Sequence, residues 1–495
     1  MKRIIIVLGM TLCVAEGHAQ DFQDYKNKTH GLLDDFRNEA HTDLDNFRKK
    51  CWKEFLDFME NPWKEFKEEP VIPKPKDEDV PPVLIPKDEL DKPIDDRPIV
   101  IDEVIKPLPI NPQPLPIEPI KEDASPDKSQ KVRFEFFGTQ ASVRFDVKNR
   151  IHLKGIDEKS VVEALRGIVL ESYDNMLIDC LRIRKERHLS DWAYLLMLRS
   201  LSEAIAGGEN NDATLTLAFL YIHSGYKMRL GSDGSKLYML FATDHHIYDM
   251  KSFVVGTEIF YALDEHCPDR LSISDVAFPK EQGLSLIMPY SPKFDIASST
   301  QRKITSIRYP DIQVQVSCNK NLIDFYSTYP TSMLDMIFMT RWAMYANTPM
   351  DEYVSKQFYP ILKKELEGLS QLEAVERLLN FVQTGFVYEY DNKVWGCDRA
   401  FFAEESLFYP FCDCEDRSIL LTRLVRDLLG LKCILIYYPG HLASAVEFTE
   451  GEVKGDYIQL ENHRYVITDG TYIGASVGRT MPGMDNKTAK AILLK

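Results

Sequence analysis

Three side chains near the C-terminal end of this 495-residue chain have the types and order needed for nucleophilic acyl transfer: Cys414, His441 and Asp469. Cys414 lies in Phe411-Cys412-Asp413-Cys414-Glu415-Asp416, and an amphipathic run from Ser418 to Gly430 follows at once. The spacing predicts a helix that begins at the thiol. A helix N-terminus carries partial positive charge and unpaired N–H groups, which favour a thiolate and can also hold an oxyanion. His441 sits in Pro439-Gly440-His441-Leu442-Ala443-Ser444-Ala445-Val446, which reads as a strand. Asp469 sits in Tyr465-Val466-Ile467-Thr468-Asp469-Gly470-Thr471-Tyr472, a strand running into a turn. Nucleophile, base and base-orienter would thus come from three separate elements. Competing residues fit less well. Cys412 precedes the helix and misses its dipole. His463 falls at the start of the strand that leads to Asp469 and points elsewhere. His245 and His246 are strand neighbours and face opposite sides, which argues against joint metal ligation. Asn211 and Asp212 read as helix caps, and Phe325, Tyr326, Phe338, Trp342 and Tyr345 read as core.

The elements that position these residues occupy only part of the chain. Its length calls for two or three domains, and its 44% hydrophobic and 27% charged residues are those of a globular protein. A net charge of -16 argues against binding to nucleic acid or anionic lipid. No apolar run reaches the roughly 18–20 residues of a membrane span. Lys2 and Arg3, an apolar stretch from Ile4 to Val14 and the small-residue site Gly17-His18-Ala19 predict a signal peptide over 1–19, hence a secreted or periplasmic protein. Bulky Leu12 argues against lipidation of Cys13. Among the remaining cysteines, Cys397 and Cys412 are the first pair to suspect of a disulfide.

Over 20–67 the sequence predicts an amphipathic helix with an eleven-residue repeat. Phe22, Leu33, Leu44, Phe55 and Phe66 form one register, and Tyr25, Phe36, Phe47 and Phe58 a second, on one shared stripe. Such a helix suits self-association or docking, and Pro62 interrupts it. The proline-rich acidic stretch 68–130 reads as a polyproline II linker spanning on the order of 100 Å. The globular part then divides into 131–300 and 301–495. Subtracting 205 lays Leu429-Gly430-Leu431-Lys432-Cys433 on Ser224-Gly225-Tyr226-Lys227-Met228, His441 on Lys236, and Asp469 on Asp264. This predicts a duplicated helix-then-strands unit whose first copy has lost the thiol and the imidazole.

Asp413-Cys414-Glu415-Asp416, the turn at Gly430, His441 on a strand and Asp469 in Thr468-Asp469-Gly470-Thr471 together resemble the transglutaminase-like superfamily, closest to its bacterial transglutaminase-like cysteine proteinases. Phe386-Val387-Tyr388-Glu389-Tyr390 and Ala403-Glu404-Glu405-Ser406-Leu407 are in keeping with that group. The resemblance spans about 370–480. It implies an α+β, papain-like fold, with the nucleophile's helix packed on an antiparallel sheet. It also implies that Cys414 attacks a peptide or glutamine carbonyl, His441 acts as base and then acid, and Asp469 orients the imidazole. The Cys414 N–H would be one oxyanion donor, and Gln383, Tyr390 and Trp395 are candidates for the second. Cys412 stands where the family usually has glycine. No cofactor is required by this chemistry. Calcium is a candidate ion, because acidic residues flank the nucleophile in calcium-dependent members and Asp413, Glu415 and Asp416 match that pattern. The same carboxylates also suit a helix dipole.

The leading expectation is an exported cysteine peptidase or amidase acting on a protein or peptide through a thioester. The alternatives are a non-catalytic peptide- or glycan-binding scaffold of the same fold and a cross-linking transglutaminase.

Overall fold

A computed structural model describes residues 42–495, apart from 44–45, 48, 75–79, 91, 117–119, 121, 123–129 and 170–172. The expected signal segment 1–19 and most of the eleven-residue repeat lie outside the described residues. The chain divides into units 1–55 and 56–495. In the first, Trp52 and Phe55 are buried on a helix while Phe47 is 47% exposed. In the second, Leu56 and Met59 are buried on the end of that helix while Phe58 is 60% exposed. Phe47 and Phe58, the described members of the second register, thus stay exposed. Three residues advance a helix by about 300°, so a narrow stripe takes one register and leaves the other at its margin. The helix also stops short of 67. Lys64–Lys67 is a strand paired antiparallel with Arg270–Ile273, so Phe66 belongs to a sheet.

The fold is mixed α+β. The first sheet has six strands, in the order Lys64–Lys67, Arg270–Ile273, Met228–Ser232, Leu237–Ala242, Glu258–Ala262, Ser252–Val255, all antiparallel. The second has seven, in the order Arg97–Ile99, Asp456–Leu460, His463–Thr468, His441–Glu447, Cys433–Tyr438, Lys490–Leu493, Val104–Ile105. Its five central strands are antiparallel, and each edge is completed by a short parallel strand from the proline-rich region. Only residues 100–103 separate those two edge strands. Such a link reaches roughly 17 Å, whereas seven flat strands span roughly 29 Å. The sheet must therefore curl until its edges approach. Ile99, Ile434, Ile436, Ala443, Ala445, Ile458, Ile467 and Ala491 pack together as its core.

This corrects the reading of 68–130 as a free spacer. Glu68 and Glu69 donate to Asp269 and Ser252, Val83–Leu84 pairs with Tyr472–Ile473, and Arg97–Ile99 and Val104–Ile105 close the second sheet. The prolines hid an apolar content sufficient to dock. Ile85, Ile99, Ile105 and Leu108 are all buried, and proline is tolerated on edge strands, where Pro98 sits. The described residues of this segment form a strap along the folded body.

One order of elements occurs twice. The buried helix Asn211–His223 leads into the hairpin Met228–Ser232/Leu237–Ala242, and Cys414–Leu429 leads into Cys433–Tyr438/His441–Glu447.

Candidate functional site

The helix that carries Cys414 starts where its cap dictates. Asp413 accepts from the N–H groups of Glu415 (3.2 Å) and Asp416 (3.4 Å), and Asp416 accepts in return from Asp413 N (3.2 Å). This capping box fixes Cys414 as the first helical residue, as the sequence predicts. Gly430 ends the helix in the left-handed conformation (φ 67°), where a side chain would be strained. The strand Phe411–Cys412, paired parallel with Val387–Tyr388, delivers the chain to that cap.

His441 is the first residue of its strand, and Asp469 directly follows His463–Thr468. Their side chains meet, with Nε2 2.9 Å from Asp469 Oδ2. The other carboxylate oxygen accepts from Thr471 N (2.8 Å) and Tyr472 N (3.2 Å), which fixes its orientation. A carboxylate only accepts, so Nε2 is the donor in this bond. Nδ1 is buried and has no hydrogen-bond partner among the described residues. Tyr438 stacks on the ring from the paired strand, with centroids 6.3 Å apart.

The thiol's helix is tied to both partners. Arg417 is fully buried and donates to Gly470 O (3.2 Å), Gln383 O (3.3 Å) and Phe386 O (3.0 Å). Ser418 donates to Leu442 O (2.8 Å). Residues three and four places beyond Cys414 thus bind the neighbours of Asp469 and His441. Cys414, His441 and Asp469 are 3%, 2% and 3% exposed. Neither Arg417 nor Ser418 stood out in the sequence, because an arginine on an amphipathic helix reads as a solvent-facing charge. A β-carbon on Gly470 would lie 3.1 Å from Arg417 Cβ, so a small residue suits the position after Asp469.

The three oxyanion candidates separate. The Gln383 amide is committed elsewhere: Nε2 bonds Asp469 O, Tyr472 O and Ala475 O at 2.8–3.1 Å, and Oε1 accepts from Gly474 N. It ties the Asp469 loop together, whereas the sequence suggested it as a candidate oxyanion donor. Trp395 packs against Phe401 and Tyr409 under the Arg399 guanidinium. Tyr390 caps the short helix Asp391–Val394 and touches Tyr388 edge-on.

Around the thiol the charge is acidic. Three buried groups, Asp413/Cys414/Glu415, Asp391/Asp413/Asp416 and Asp391/Asp398/Glu415, each hold their ligand atoms within 4.8 Å of one another. Asp391 and Asp398 were missed in the sequence, since they lie on a separate segment upstream, Asp391 at the start of the short helix and Asp398 in the loop after it. Desolvation first, then the charges of Asp413 and Asp391, push the Asp416 carboxyl far above its usual range. Asp398 Oδ2 pairs with fully buried Arg341, while its Oδ1 is buried without a hydrogen-bond partner among the described residues. The donor set of hard carboxylate oxygens suits calcium or another divalent cation. Asp413 and Asp416 also serve the capping box, so Asp391, Asp398 and Glu415 form the group that the cap does not use.

The short helix Ala403–Phe408 supports the same region, because Phe401 N donates to Asp416 (2.8 Å). Its two glutamates are buried, and desolvation pushes Glu404 up to about 8 and Glu405 to about 7. A folded-state pKa above the unfolded value means that stability falls as pH rises from about 4.5 towards 8. Glu404→Gln keeps an acceptor for Asp351 N. It is expected to stabilise the protein by about 3 kcal/mol at pH 7 and by nothing near pH 4, read from denaturant unfolding at the two pH values.

Other expectations are placed as follows. Cys397 and Cys412 are separate free thiols, so the suspected disulfide is not formed, and burial pushes the Cys412 thiol up. His463 pairs with Glu447 (2.6 Å) and takes no part. His245 is buried and bonded to Ser332 and Leu286 N. The cap of Asn211–His223 is Asn210, not Asn211 or Asp212. Asn211 instead accepts from Leu237 N (2.9 Å), and Lys236 Nζ pairs with Asp264 (2.6 Å). No family model, no curated protein and no solved structure matches this chain.

Proposed function

We propose that the protein is an exported cysteine hydrolase that transfers acyl groups from peptides through a thioester on Cys414. One observation carries this reading: His441 is held by Asp469 through Nε2, leaving an Nδ1 that is buried and without a hydrogen-bond partner among the described residues, and the next residue, Leu442, is tied to the thiol's helix through Ser418. In this reading Cys414 Sγ attacks the substrate carbonyl as His441 Nδ1 takes the thiol proton. The helix N-terminus, with the Cys414 N–H, holds the oxyanion. Collapse of the tetrahedral species breaks the C–N bond, and His441 returns its proton to the leaving amine. Water, deprotonated by the same nitrogen, then opens the thioester and regenerates the thiol. An amine in place of water would make the product a cross-link.

A papain-like arrangement is supported by the thiol at a helix start, the curled antiparallel sheet and the order Cys, His, Asp. Duplication is supported by the repeated helix–hairpin order. Lys236 and Asp264 then stand where His441 and Asp469 stand in the second copy, and Asn211, the first helical residue, stands where Cys414 does. A bound divalent cation would supply positive charge beside the thiol, with Asp391, Asp398 and Glu415 as its holders. Calcium at about 100 times its Kd is expected to stabilise the fold by roughly 2.7 kcal/mol, with release of protons from the cluster. Thermal unfolding of the wild type and of Asp391→Asn/Asp398→Asn checks this. A shift of equal size in both, or in neither, contradicts the site.

The reading is tested by incubating the protein with a mixed peptide pool, quenching in acid and mapping acyl adducts by mass spectrometry. Adducts confined to Cys414 and lost in His441→Ala support it. Peptide retention without adducts, equal in Cys414→Ala, favours the binding scaffold. Incorporation of a labelled amine in place of hydrolysis favours the cross-linking enzyme.

A further inference from the structure

The strap is not uniform. Arg97–Ile99 and Val104–Ile105 complete the edges of the second sheet. The segment 80–89 does something else: it runs along the loops that carry His441 and Asp469. Val80 N donates to Gly440 O (3.0 Å), one residue before His441. Val83 and Leu84 pair in parallel with Tyr472 and Ile473, just beyond Asp469, and Ile85 N donates to Ile473 O (3.0 Å). Glu89 accepts from the Tyr472 hydroxyl (3.4 Å). The side chains alternate as a strand requires: Ile85 is buried with Tyr472, Ala475 and Met481, Val83 packs against the same cluster, and Leu84 is 72% exposed. Pro82 and Pro86 flank this run and restrict it to extended backbone.

Adding an extended strand to a short exposed edge is how proteins commonly take peptides: main-chain hydrogen bonds supply affinity, and pockets for alternate side chains supply selectivity. Resting on the catalytic reading above, we propose that Val80–Glu89 is an internal pseudosubstrate. It occupies the edge Tyr472–Ile473 in a latent form of the enzyme. The substrates that replace it are extended peptides with apolar residues at two alternate positions, filling the places of Val83 and Ile85. The burial of all three reaction residues accords with a site that its own chain covers.

The test compares the full chain with Val83→Asp/Ile85→Asp. Iodoacetamide labelling is mapped at each cysteine, alongside turnover of a peptide pool. The proposal expects Cys414 to label at least about tenfold faster in the variant, buried Cys180 and Cys433 to stay protected, and turnover to rise in step. A synthetic peptide of residues 80–89 added in trans should restore slow labelling, and one carrying both aspartates should not. Unchanged labelling of Cys414 overturns the proposal, and so does a rise shared by Cys180 and Cys433, which would make the segment a structural support only. Faster labelling of Cys414 with peptide-reversible protection but no turnover keeps the occupied groove and defeats the catalytic reading. Full turnover in the unaltered chain defeats latency and keeps catalysis.

Discussion

Cys414→Ala is expected to remove acyl transfer by at least about 10⁴-fold while leaving the midpoint of unfolding nearly unchanged. On the proposed reading Cys414 has no substitute within the site. Cys412 sits before the helix on a short strand, and its thiol is pushed up by burial. The substitution removes one sulfur from the first turn and touches neither the Asp413–Asp416 capping box nor the Arg417 bonds. His441→Ala is expected to fall almost as far, because base and nucleophile act as a unit and their losses do not add. The background is best measured in the strap variant Val83→Asp/Ile85→Asp, where turnover is expected to be highest. Equal rates in the presence and absence of Cys414 would end the acyl-transfer account.

Arg417→Met is expected to be the most damaging single change to the fold around the site, costing on the order of 3–5 kcal/mol. The guanidinium is fully buried and serves three carbonyls on two separate elements, the end of Gln371–Gly385 and the loop after Asp469. Methionine fills much of the volume and satisfies none of them. The cost is that of three buried carbonyls left without donors, and it is checked by urea unfolding. A second readout separates position from stability. With the protein folded at low temperature, loss of the Gly470 bond frees the Asp469 loop, so kcat is expected to fall by about 10²-fold with little change in KM. Gln383→Leu acts on the same loop from the other side and is expected to give the smaller version of both effects.

Much of the candidate site was legible because it is local. A capping sequence, a thiol and an amphipathic run fix a helix start without tertiary information, and His441 and Asp469 each sit at a strand end marked by glycine. What the sequence hid depends on long-range partners. Arg417 has the appearance of a surface charge until three carbonyls from distant segments converge on it. Gln383 looks like an oxyanion donor until the loop 469–475 claims its amide. Asp391 and Asp398 join the acidic cluster only through the fold. In 68–130 composition misled outright: proline count outweighed the isoleucines and valines that dock the strap. The eleven-residue repeat was real as a pattern, but only Phe55 of the Phe55/Phe58 pair is buried.

The most direct measurement of the central claim is the ultraviolet absorbance of the Cys414 thiolate as a function of pH. It is taken as the difference between the wild type and Cys414→Ala, and repeated in His441→Ala with calcium present throughout. This readout needs no access to the thiol and is indifferent to the strap. Two influences oppose each other there: nearby carboxylates disfavour the thiolate, while the helix start and an imidazolium favour it. The account predicts that the pair wins, with thiolate present at about pH 6 in the wild type and absent there in His441→Ala. A thiol that titrates at or above about 8.5, unmoved by the loss of His441, would contradict it and leave Cys414 a structural cysteine in a binding protein.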